Sequence, residues 1–266
     1  MTVHILGCGP AGLAAAHAAV SMGHDIRIFS KNRKSEMFGA QYLHKPIPLL
    51  NAAETPVMVR YKLQGSITQY RDKVYWSGFG GTVSPEDLEE NHLAWDIRSS
   101  YNRLWDLYSG AIEETRVHLR WMMFNHNMRP MINSIPLPTI CLHPTLCNFQ
   151  DTTIWAAGEA PERGIRFGYE HIGELVGENE VLCNGLPMPA WYRTSRIFGH
   201  ATIEWPWAAG PNGLMPSAVA KPIRNSCQCW PDVLRVGRYG KWEKGVLVHH
   251  AFEETWQWLS RGASQS

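Results

Sequence analysis

The stretch Val3-His4-Ile5-Leu6-Gly7-Cys8-Gly9-Pro10-Ala11-Gly12 decides the fold of this chain. Its apolar start predicts a short buried strand, its glycines a tight turn, and the following residues 13–22 an alanine-rich helix that ends at Gly23. In such a unit the first glycine permits the sharp turn, the second lets backbone approach a pyrophosphate, and the third lets helix pack on strand. The helix N-terminus adds unpaired N–H groups and partial positive charge. We therefore predict a dinucleotide-binding turn with five cofactor contacts: Gly7, Gly9, Pro10, Ala11 and Gly12.

The second strand of this unit, predicted over residues 24–29, ends at Ser30 rather than at the Asp or Glu that usually binds the adenosine ribose. A serine hydroxyl can still reach a ribose hydroxyl, although it binds less strongly than a carboxylate. Lys31, Arg33 and Lys34 follow, and such a cluster is typical either of a 2′-phosphate site or of a solvated basic loop. Ser30 and Lys31 are candidate cofactor contacts, and this half of the site leaves NAD, NADP and FAD open.

The composition is that of a globular chain of 266 residues, enough for one large domain or two interleaved ones. Charged residues make up 18% and the formal net charge is +1, so no global field marks a nucleic-acid binder, although a local basic groove is compatible with it. The sequence opens directly on a strand and contains no apolar run approaching the roughly 20 residues that span a bilayer. We expect a cytoplasmic protein with no membrane partner.

Six cysteines do not form a dense disulfide framework in a chain of this length, and a reducing compartment keeps them as thiols. Cys141, His143 and Cys147 have a spacing that suits a metal, with Cys227 and Cys229 as further ligands. Neither half has the CxxC spacing that makes such a prediction strong. We expect buried thiols and no metal, with zinc as the alternative.

The segment after the second strand, Phe38-Gly39-Ala40-Gln41-Tyr42-Leu43-His44, is placed to pass along a bound cofactor. Gly39 and Ala40 permit close approach, and Gln41 and His44 then face a flavin ring or the substrate. An ordinary surface histidine is the alternative interpretation of His44.

Further along, the pattern predicts a strand over residues 56–63, a helix starting at Ser84-Pro85, an amphipathic helix over 96–108, and strands over 117–121, 131–135 and 152–157. Residues 159–230 are rich in loops, proline and tryptophan. Within them Arg193 lies next to aromatic rings, an arrangement that binds a carboxylate or phosphate while the rings stack on a planar group. Tyr192, Arg193 and Trp205 are the candidate substrate contacts, and a solvated sheet edge is the alternative.

The C-terminal stretch Gly237-Arg238-Tyr239-Gly240-Lys241-Trp242, followed by a loop and a helix predicted from about Gly245 to Leu259, favours a flavin. Arg238 supplies fixed positive charge near the cofactor. The helix N-terminus at Val246 and Leu247 faces the flavin C2 oxygen, which gains negative charge on reduction. Cofactor contacts are predicted at Gly237, Arg238, Trp242, Gly245, Val246 and Leu247, and catalytic side chains at His44, Lys241 and His249.

The glycine turn combined with the late Gly237-Arg238 and terminal helix resembles the FAD-binding domain of glutathione-reductase-type flavoproteins. More narrowly, Phe38–His44, Val83–Asp87, Ala94–Arg98 and Gly237–Trp242 resemble small FAD-dependent oxidoreductases encoded by tailed bacteriophages. The resemblance implies an α/β fold: a Rossmann-like FAD-binding domain formed by residues 1–55, 96–160 and 231–266, with an interleaved smaller substrate domain formed by 56–95 and 161–230. Ser30 departs from the family pattern at the adenosine end.

Some members of this phage group are associated with thymine hypermodification. The resemblance therefore implies FAD-dependent oxidation of a glycyl C–N bond on thymine in DNA, releasing glyoxylate and leaving 5-aminomethyl-deoxyuridine. A histidine such as His44 or His249 then acts as the general base, and Arg193 binds the glycyl carboxylate. The modified thymine is flipped out of the duplex into the pocket. An NAD(P)H-dependent flavin oxidoreductase or small-molecule oxidase and a non-catalytic flavoprotein are the alternatives, and a homodimer is left open.

Overall fold

The fold is described from a computed structural model, which covers residues 1–30, 34, 37, 41–75, 88, 90–115, 119–159, 176–188, 190–209 and 217–263. The predicted contacts Lys31, Gly39 and Ala40, and the helix start predicted at Ser84-Pro85, lie outside these residues.

The N-terminal strand, turn and helix form as the sequence predicts, and they begin a parallel sheet. Strand β1 (Thr2–Leu6), helix α1 (Pro10–Ser21) and strand β2 (Asp25–Ser30) follow one another directly. In the described chain this sheet also contains β5 (Ile112–Glu114), β6 (Met131–Asn133) and β12 (Leu234–Arg235). Its five strands have the order β12-β6-β1-β2-β5, and every pairing is parallel. The carboxyl ends of β1, β2 and β6 therefore meet at one edge, where ligands of open α/β sheets bind.

Alanine governs the packing of α1. Five of its alanines are fully buried, so the helix can approach neighbours on both sides: the sheet, helix α3 (Ile97–Tyr108) and helix α7 (Val248–Ala263). Helix α3 buries Ile97, Tyr101 and Leu104 at helical spacing, as its pattern predicts. The Asp96 carboxylate caps it by accepting hydrogen bonds from the N–H groups of Arg98 (2.8 Å) and Ser99 (3.1 Å).

A second sheet of seven described strands runs in the order β11-β7-β10-β9-β8-β3-β4. Its pairings are antiparallel except β3 with β8. The remaining elements have these bounds: β3 Val57–Gly65, α2 Ile67–Val74, β4 Asn91–Ala94, β5 Ile112–Glu114, α4 Leu119–Met122, β6 Met131–Asn133, α5 Leu137–Ile140, β7 Gln150–Glu159, β8 Glu180–Gly185, β9 Arg193–Ile197, β10 His200–Pro206, β11 Ser217–Arg224, β12 Leu234–Arg235 and α6 Gly237–Lys241.

Three predicted elements differ from the structure. The strand predicted over 117–121 is wrong where it is described, because Leu119–Met122 is a short helix. The strand starting at Met131 ends at Asn133, and Leu137-Pro138 start a helix, where proline is tolerated because the first N–H groups have no partner in the helix. The last helix begins at Val248, three residues later than predicted, and runs to Ala263.

The division into two domains stays a prediction, but the strands do sort by sheet. Every strand of the five-stranded sheet comes from the segments assigned to cofactor binding. Strand β7, which we assigned to the same segments, instead pairs with β10 and β11 in the seven-stranded sheet. No helix in the described part of the chain is long and apolar enough to cross a membrane.

The fold predicts a steric limit at Gly12. A Cβ there would lie 2.1 Å from the carbonyl oxygen of Gly7, which is backbone and cannot move aside. We expect Gly12→Ala to lower the free energy of unfolding by more than about 2 kcal/mol in denaturant titrations. Gly110→Ala, where a Cβ meets nothing within 4 Å, is the matched control and should change it by less than about 1 kcal/mol. Equal effects of the two substitutions would contradict this reading of the turn.

Candidate functional site

The glycine turn, residues 7–12, is shaped to leave a helix N-terminus open. Gly7 has φ +99°, a conformation that favours glycine, and a Cβ on it would lie 2.6 Å from Ser134 Oγ. At Gly9, the N-cap residue of α1, a Cβ meets nothing within 4 Å. Among the residues that the structure describes, no side chain caps this helix, and its first turn contains no acidic residue. Its positive end is thus left for an anion from outside the chain, which is the fit that a pyrophosphate requires.

The late Gly237-Arg238 segment packs against this turn. Gly237 has φ +70°, and a Cβ on it would lie 2.4 Å from the Cβ of Ala11. The N–H of Val236 donates to the carbonyl of Asn133 at the end of β6 (2.9 Å). Two segments more than 200 residues apart in sequence, each predicted to contact one cofactor, therefore meet at the carboxyl edge of the parallel sheet.

Ser30 lies at the predicted strand end, but its hydroxyl is buried and accepts a hydrogen bond from the Cys8 thiol (3.1 Å). In the sheet register Ser30 pairs with Glu114 of β5, an exposed carboxylate at the same edge. An acidic group therefore lies on the neighbouring strand, beside the residue predicted to contact the adenosine ribose. No local pattern points to Glu114, since only the pairing of β2 with β5 brings the two residues together.

A cavity of about 230 Å³ lies where Arg238 meets the seven-stranded sheet. The hydroxyl of Tyr239 donates a hydrogen bond to the carbonyl of Ala220 (2.9 Å). The N–H of Lys244 donates to the carbonyl of Ile223 (3.0 Å). These bonds join the segment after β12 to β11. The wall is aromatic and basic, and is formed by Tyr61, Tyr70, Val74, Tyr75, Leu88, Thr152, Tyr192, Arg193, Lys221, Pro222, Ile223, Arg238 and Lys244.

A buried ionic network forms one wall of this cavity. Glu204 of β10 is 2% exposed and accepts two hydrogen bonds from Arg193 of β9 (both 2.7 Å) and one from Lys221 of β11 (2.7 Å). The Tyr192 hydroxyl donates to the same carboxylate and accepts from Lys221 (2.8 Å). Strand β7 separates β10 from β11, with Glu204 paired to its Ala156 and Lys221 to its Thr152, so the lysine side chain reaches across this strand.

Burial and charge act in opposite directions on these groups. Burial opposes ionisation of Glu204, but Arg193 and Lys221 outweigh it and hold the pKa of the carboxyl well below its usual value. Burial lowers the pKa of Lys221 to about 7, against the attraction of Glu204. Burial also lowers the pKa of the unpaired Arg238 guanidinium, which forms no ion pair within the described chain. The cavity therefore carries excess positive charge and suits an anionic ligand.

Two of the three predicted substrate contacts, Tyr192 and Arg193, form hydrogen bonds within this ionic network. Arg193 is paired with Glu204, so its charge is largely compensated. Tyr192 is 1% exposed and its ring packs against Tyr70 (6.0 Å between centroids). Trp205 is buried beside Ile203 and Trp191 and does not line the cavity. All three side chains pack against neighbouring residues, so none of them is positioned to stack on a flipped nucleobase in this structure.

The predicted catalytic side chains lie apart from the cavity wall. His44 packs on Tyr42 (4.5 Å between ring centroids), and burial together with His92 and Arg238 lowers its pKa. His249 is buried, and burial with the neighbouring His250 lowers its pKa to about 4, so it is neutral at pH 7. Lys241 forms an ion pair with Glu254 of α7 (2.5 Å).

The other predicted contacts near the C-terminus surround the start of α7. Trp242 is buried against Phe149 with a left-handed backbone (φ +54°). Gly245 also has positive φ (+83°), and Val246 and Leu247 are half-buried just before the helix, the N–H of Leu247 donating to His250 Nδ1 (3.2 Å). Gln41 is half-buried at the start of the described segment 41–75. Their contact with a cofactor stays a prediction.

Comparisons with protein-family models and with the sequences of curated proteins give no match. Among solved structures the chain is similar to a flavoprotein/dehydrogenase from Cytophaga hutchinsonii (TM-score 0.53, 11% identity, 96% of this chain and 76% of that one). It is also similar to a candidate FAD containing monooxygenase from Photorhabdus luminescens (0.52, 13%, 99% and 89%). A third similar structure is Klebsiella pneumoniae HpxO complexed with FAD and uric acid (0.52, 12%, 96% and 78%). The chain has the fold of these FAD flavoproteins.

The ionic network predicts that substitutions of its different members lower the free energy of unfolding by different amounts. Glu204→Gln removes the counter-charge of Arg193 and Lys221, whose side chains are about four-fifths buried, and we expect it to lower the free energy of unfolding by about 3–5 kcal/mol. Tyr192→Phe removes one hydroxyl and keeps every charge, so its cost should be about 1 kcal/mol. Urea titrations of both variants at pH 7 measure the difference. A Glu204→Gln variant as stable as Tyr192→Phe would show that the cations do not depend on this carboxylate.

Proposed function

We propose that this chain is an FAD-dependent oxidoreductase with a cofactor site of the glutathione-reductase type. One observation carries the proposal: Gly237 packs against Ala11, so the open helix N-terminus and Arg238 at the cavity belong to one continuous edge. A dinucleotide whose pyrophosphate lies at the turn can extend along this edge to the cavity. Bound FAD would supply hydride acceptance there.

In this proposal Arg238 and Lys221 provide the charge of the reactive end. Arg238 is half-buried and has no carboxylate partner among the described residues, so its charge acts on whatever lies beside it. Positive charge next to the ring that accepts a hydride favours its reduction. Lys221 keeps about a fifth of its side chain exposed, enough to contact an anionic group of the substrate.

For the substrate, we propose an amine that carries a carboxylate, oxidised at its C–N bond. The excess positive charge of the cavity supports this, and glycyl-modified thymine in phage DNA, releasing glyoxylate, is the substrate that the sequence resemblance suggests. Since Arg193 is held by Glu204, we assign the carboxylate to Lys221 and Arg238. Hydride removal needs a neutral amine; His44, the predicted base, has a lowered pKa but lies outside the cavity wall, so its role as base stays a prediction.

A second candidate is an NAD(P)H-dependent flavin oxidoreductase or oxidase that acts on a small planar molecule. The four tyrosines of the cavity wall, Tyr61, Tyr70, Tyr75 and Tyr192, favour it. Burial raises the pKa of three of them, Tyr61, Tyr70 and Tyr192, so these phenols stay protonated.

The absorption spectrum of the purified protein, followed by anaerobic addition of candidate reductants, tests these functions. Bleaching of bound flavin by glycyl-thymine DNA with formation of glyoxylate supports the lyase, and bleaching by NADPH alone supports the second candidate. A protein that neither carries flavin nor binds added FAD would refute both.

Gly9 gives a test of the cofactor site that leaves the fold intact. Its φ of −71° suits alanine, and the space beside it is open on the protein side. A methyl group there would stand where the pyrophosphate approaches, so we expect Gly9→Ala to weaken FAD binding at least about tenfold. Titration by flavin fluorescence measures it, and a melting temperature of the FAD-free protein close to that of wild type serves as the control. Unchanged affinity would place the pyrophosphate elsewhere.

The lowered pKa of Lys221 predicts a pH dependence of substrate binding. Since the pKa lies at about 7, the side chain is a cation below this pH and loses its charge as the pH rises through it. We expect the KM for a carboxylate-bearing substrate to rise about tenfold between roughly pH 6 and pH 9. Lys221→Arg keeps the charge and should flatten the profile. A wild-type KM that does not change over this range would contradict the role of Lys221.

A further inference from the structure

Four of the six cysteines converge on one point away from the cavity. The sulfur atoms of Cys141, Cys147, Cys227 and Cys229 all lie within 4.8 Å of one another. The measured Sγ–Sγ distances are 3.6 Å for Cys141 and Cys227, 3.8 Å for Cys141 and Cys229, and 4.0 Å for Cys147 and Cys229. Two pairs of residues, 80 to 88 positions apart along the chain, thus meet as a compact set of four sulfurs.

These distances match one metal ion better than they match disulfides. Disulfide sulfurs are about 2.05 Å apart, well below every measured distance here. Four thiolates at about 2.3 Å from a central zinc ion have sulfurs about 3.8 Å apart along each tetrahedral edge. A cluster of several iron ions would hold its thiolates farther apart, because iron and sulfide ions lie between them. The geometry is that of a mononuclear tetrathiolate site.

The backbone around the sulfurs is held independently of any metal. The N–H groups of Leu146 and Cys147 donate to the carbonyl of His143 (3.0 and 2.9 Å), a turn that brings Cys147 back beside Cys141. The N–H of Cys227 donates to Asn225 Oδ1 (2.8 Å), and Trp230 Nε1–H donates to the carbonyl of Ile140 (2.9 Å), which ties the two segments together. The four ligands are therefore preorganised.

The surroundings also suit a negatively charged centre. A zinc ion with four thiolates has a net charge of about −2. The Arg235 guanidinium donates to the carbonyl oxygens of Cys227 (2.8 Å) and Cys229, and one of its nitrogens lies 4.0 Å from Cys227 Sγ. Its charge offsets part of that excess, as residues behind metal ligands commonly do. Cys141 and Cys227 are buried and the other two half-buried, so the site is closed.

We propose that Cys141, Cys147, Cys227 and Cys229 bind one structural Zn²⁺ ion. On binding, each thiol releases its proton to solvent and each sulfur forms one bond to zinc, which leaves no ligand position open for substrate. The ion joins residues 141–147 to residues 227–229, directly before strand β12 and Arg238. From the sequence we expect buried thiols here, because the CxxC spacing is absent and only the fold brings the two pairs together.

Metal analysis of protein purified without chelators tests the proposal. We expect about one zinc per chain, and a loss of most of it in Cys147→Ser and Cys229→Ser. Cys183→Ser is the matched control, since Cys183 lies in β8 outside the cluster and the variant should keep its zinc. Wild-type protein without zinc, zinc that survives both substitutions, or iron in its place would overturn the assignment.

A second measurement does not depend on the variants folding. Titration of wild-type protein with a mercurial thiol reagent should release one zinc, detected with a colorimetric chelator, as four thiols react. Protein from cells grown with cobalt in place of zinc should show the visible absorption bands of tetrahedral Co²⁺ with thiolate ligands. Thiols that react without metal release, together with no cobalt spectrum, would refute the site. Neither result depends on bound flavin, so the outcome is separate from that of the proposed function.

Discussion

The structure depends on a close approach of backbone at the carboxyl edge of the parallel sheet. Gly7, Gly12 and Gly237 each stand where a Cβ would collide with a neighbour: Ser134, the Gly7 carbonyl and Ala11, respectively. Without side chains at these positions, β1, the first turn of α1 and the segment after β12 lie against one another. Because no capping side chain occupies the helix N-terminus, the same contact that closes the fold leaves an anion site open. Stability and binding at this edge therefore share one steric requirement.

A second constraint acts across the seven-stranded sheet. Glu204, Arg193 and Lys221 come from three strands, and burying them costs solvation that only their mutual contacts offset. The register of β9, β10 and β11 must be correct for all three contacts to form together, so the network disfavours slipped pairings. Glu204 offsets only one of the two positive charges, and Arg193 and Lys221 both line the cavity. The network that stabilises the sheet therefore also gives the cavity its positive charge.

Sequence patterns predict those structural features that are determined by residues close together along the chain. The strand, glycine turn and helix at the N-terminus and the helix over 97–108 formed as expected, because their patterns act over a few residues. The cavity wall was largely missed: Lys221 and Glu204 carry no local motif, and they meet only because β7 brings β10 and β11 into one sheet. Tyr192 and Arg193, predicted as substrate contacts, do line the cavity, but both form hydrogen bonds to Glu204. The four clustered cysteines were named as candidate metal ligands, but without CxxC spacing the sequence favours buried thiols, and only the fold brings the two pairs together.

The segment between Lys221 and Arg238 connects these observations. It leaves the seven-stranded sheet at the end of β11, passes the sulfur cluster at Cys227 and Cys229, enters the five-stranded sheet as β12, and returns to the cavity at Arg238. Strand β12 has two residues and pairs only with β6 among the described strands, so its hydrogen bonds alone hold it weakly. A fixed point at the cysteines shortens the length of chain that must be ordered before Arg238. The position of that guanidinium is therefore set from both sides, by the packing of Gly237 on Ala11 and by the anchored chain that precedes it.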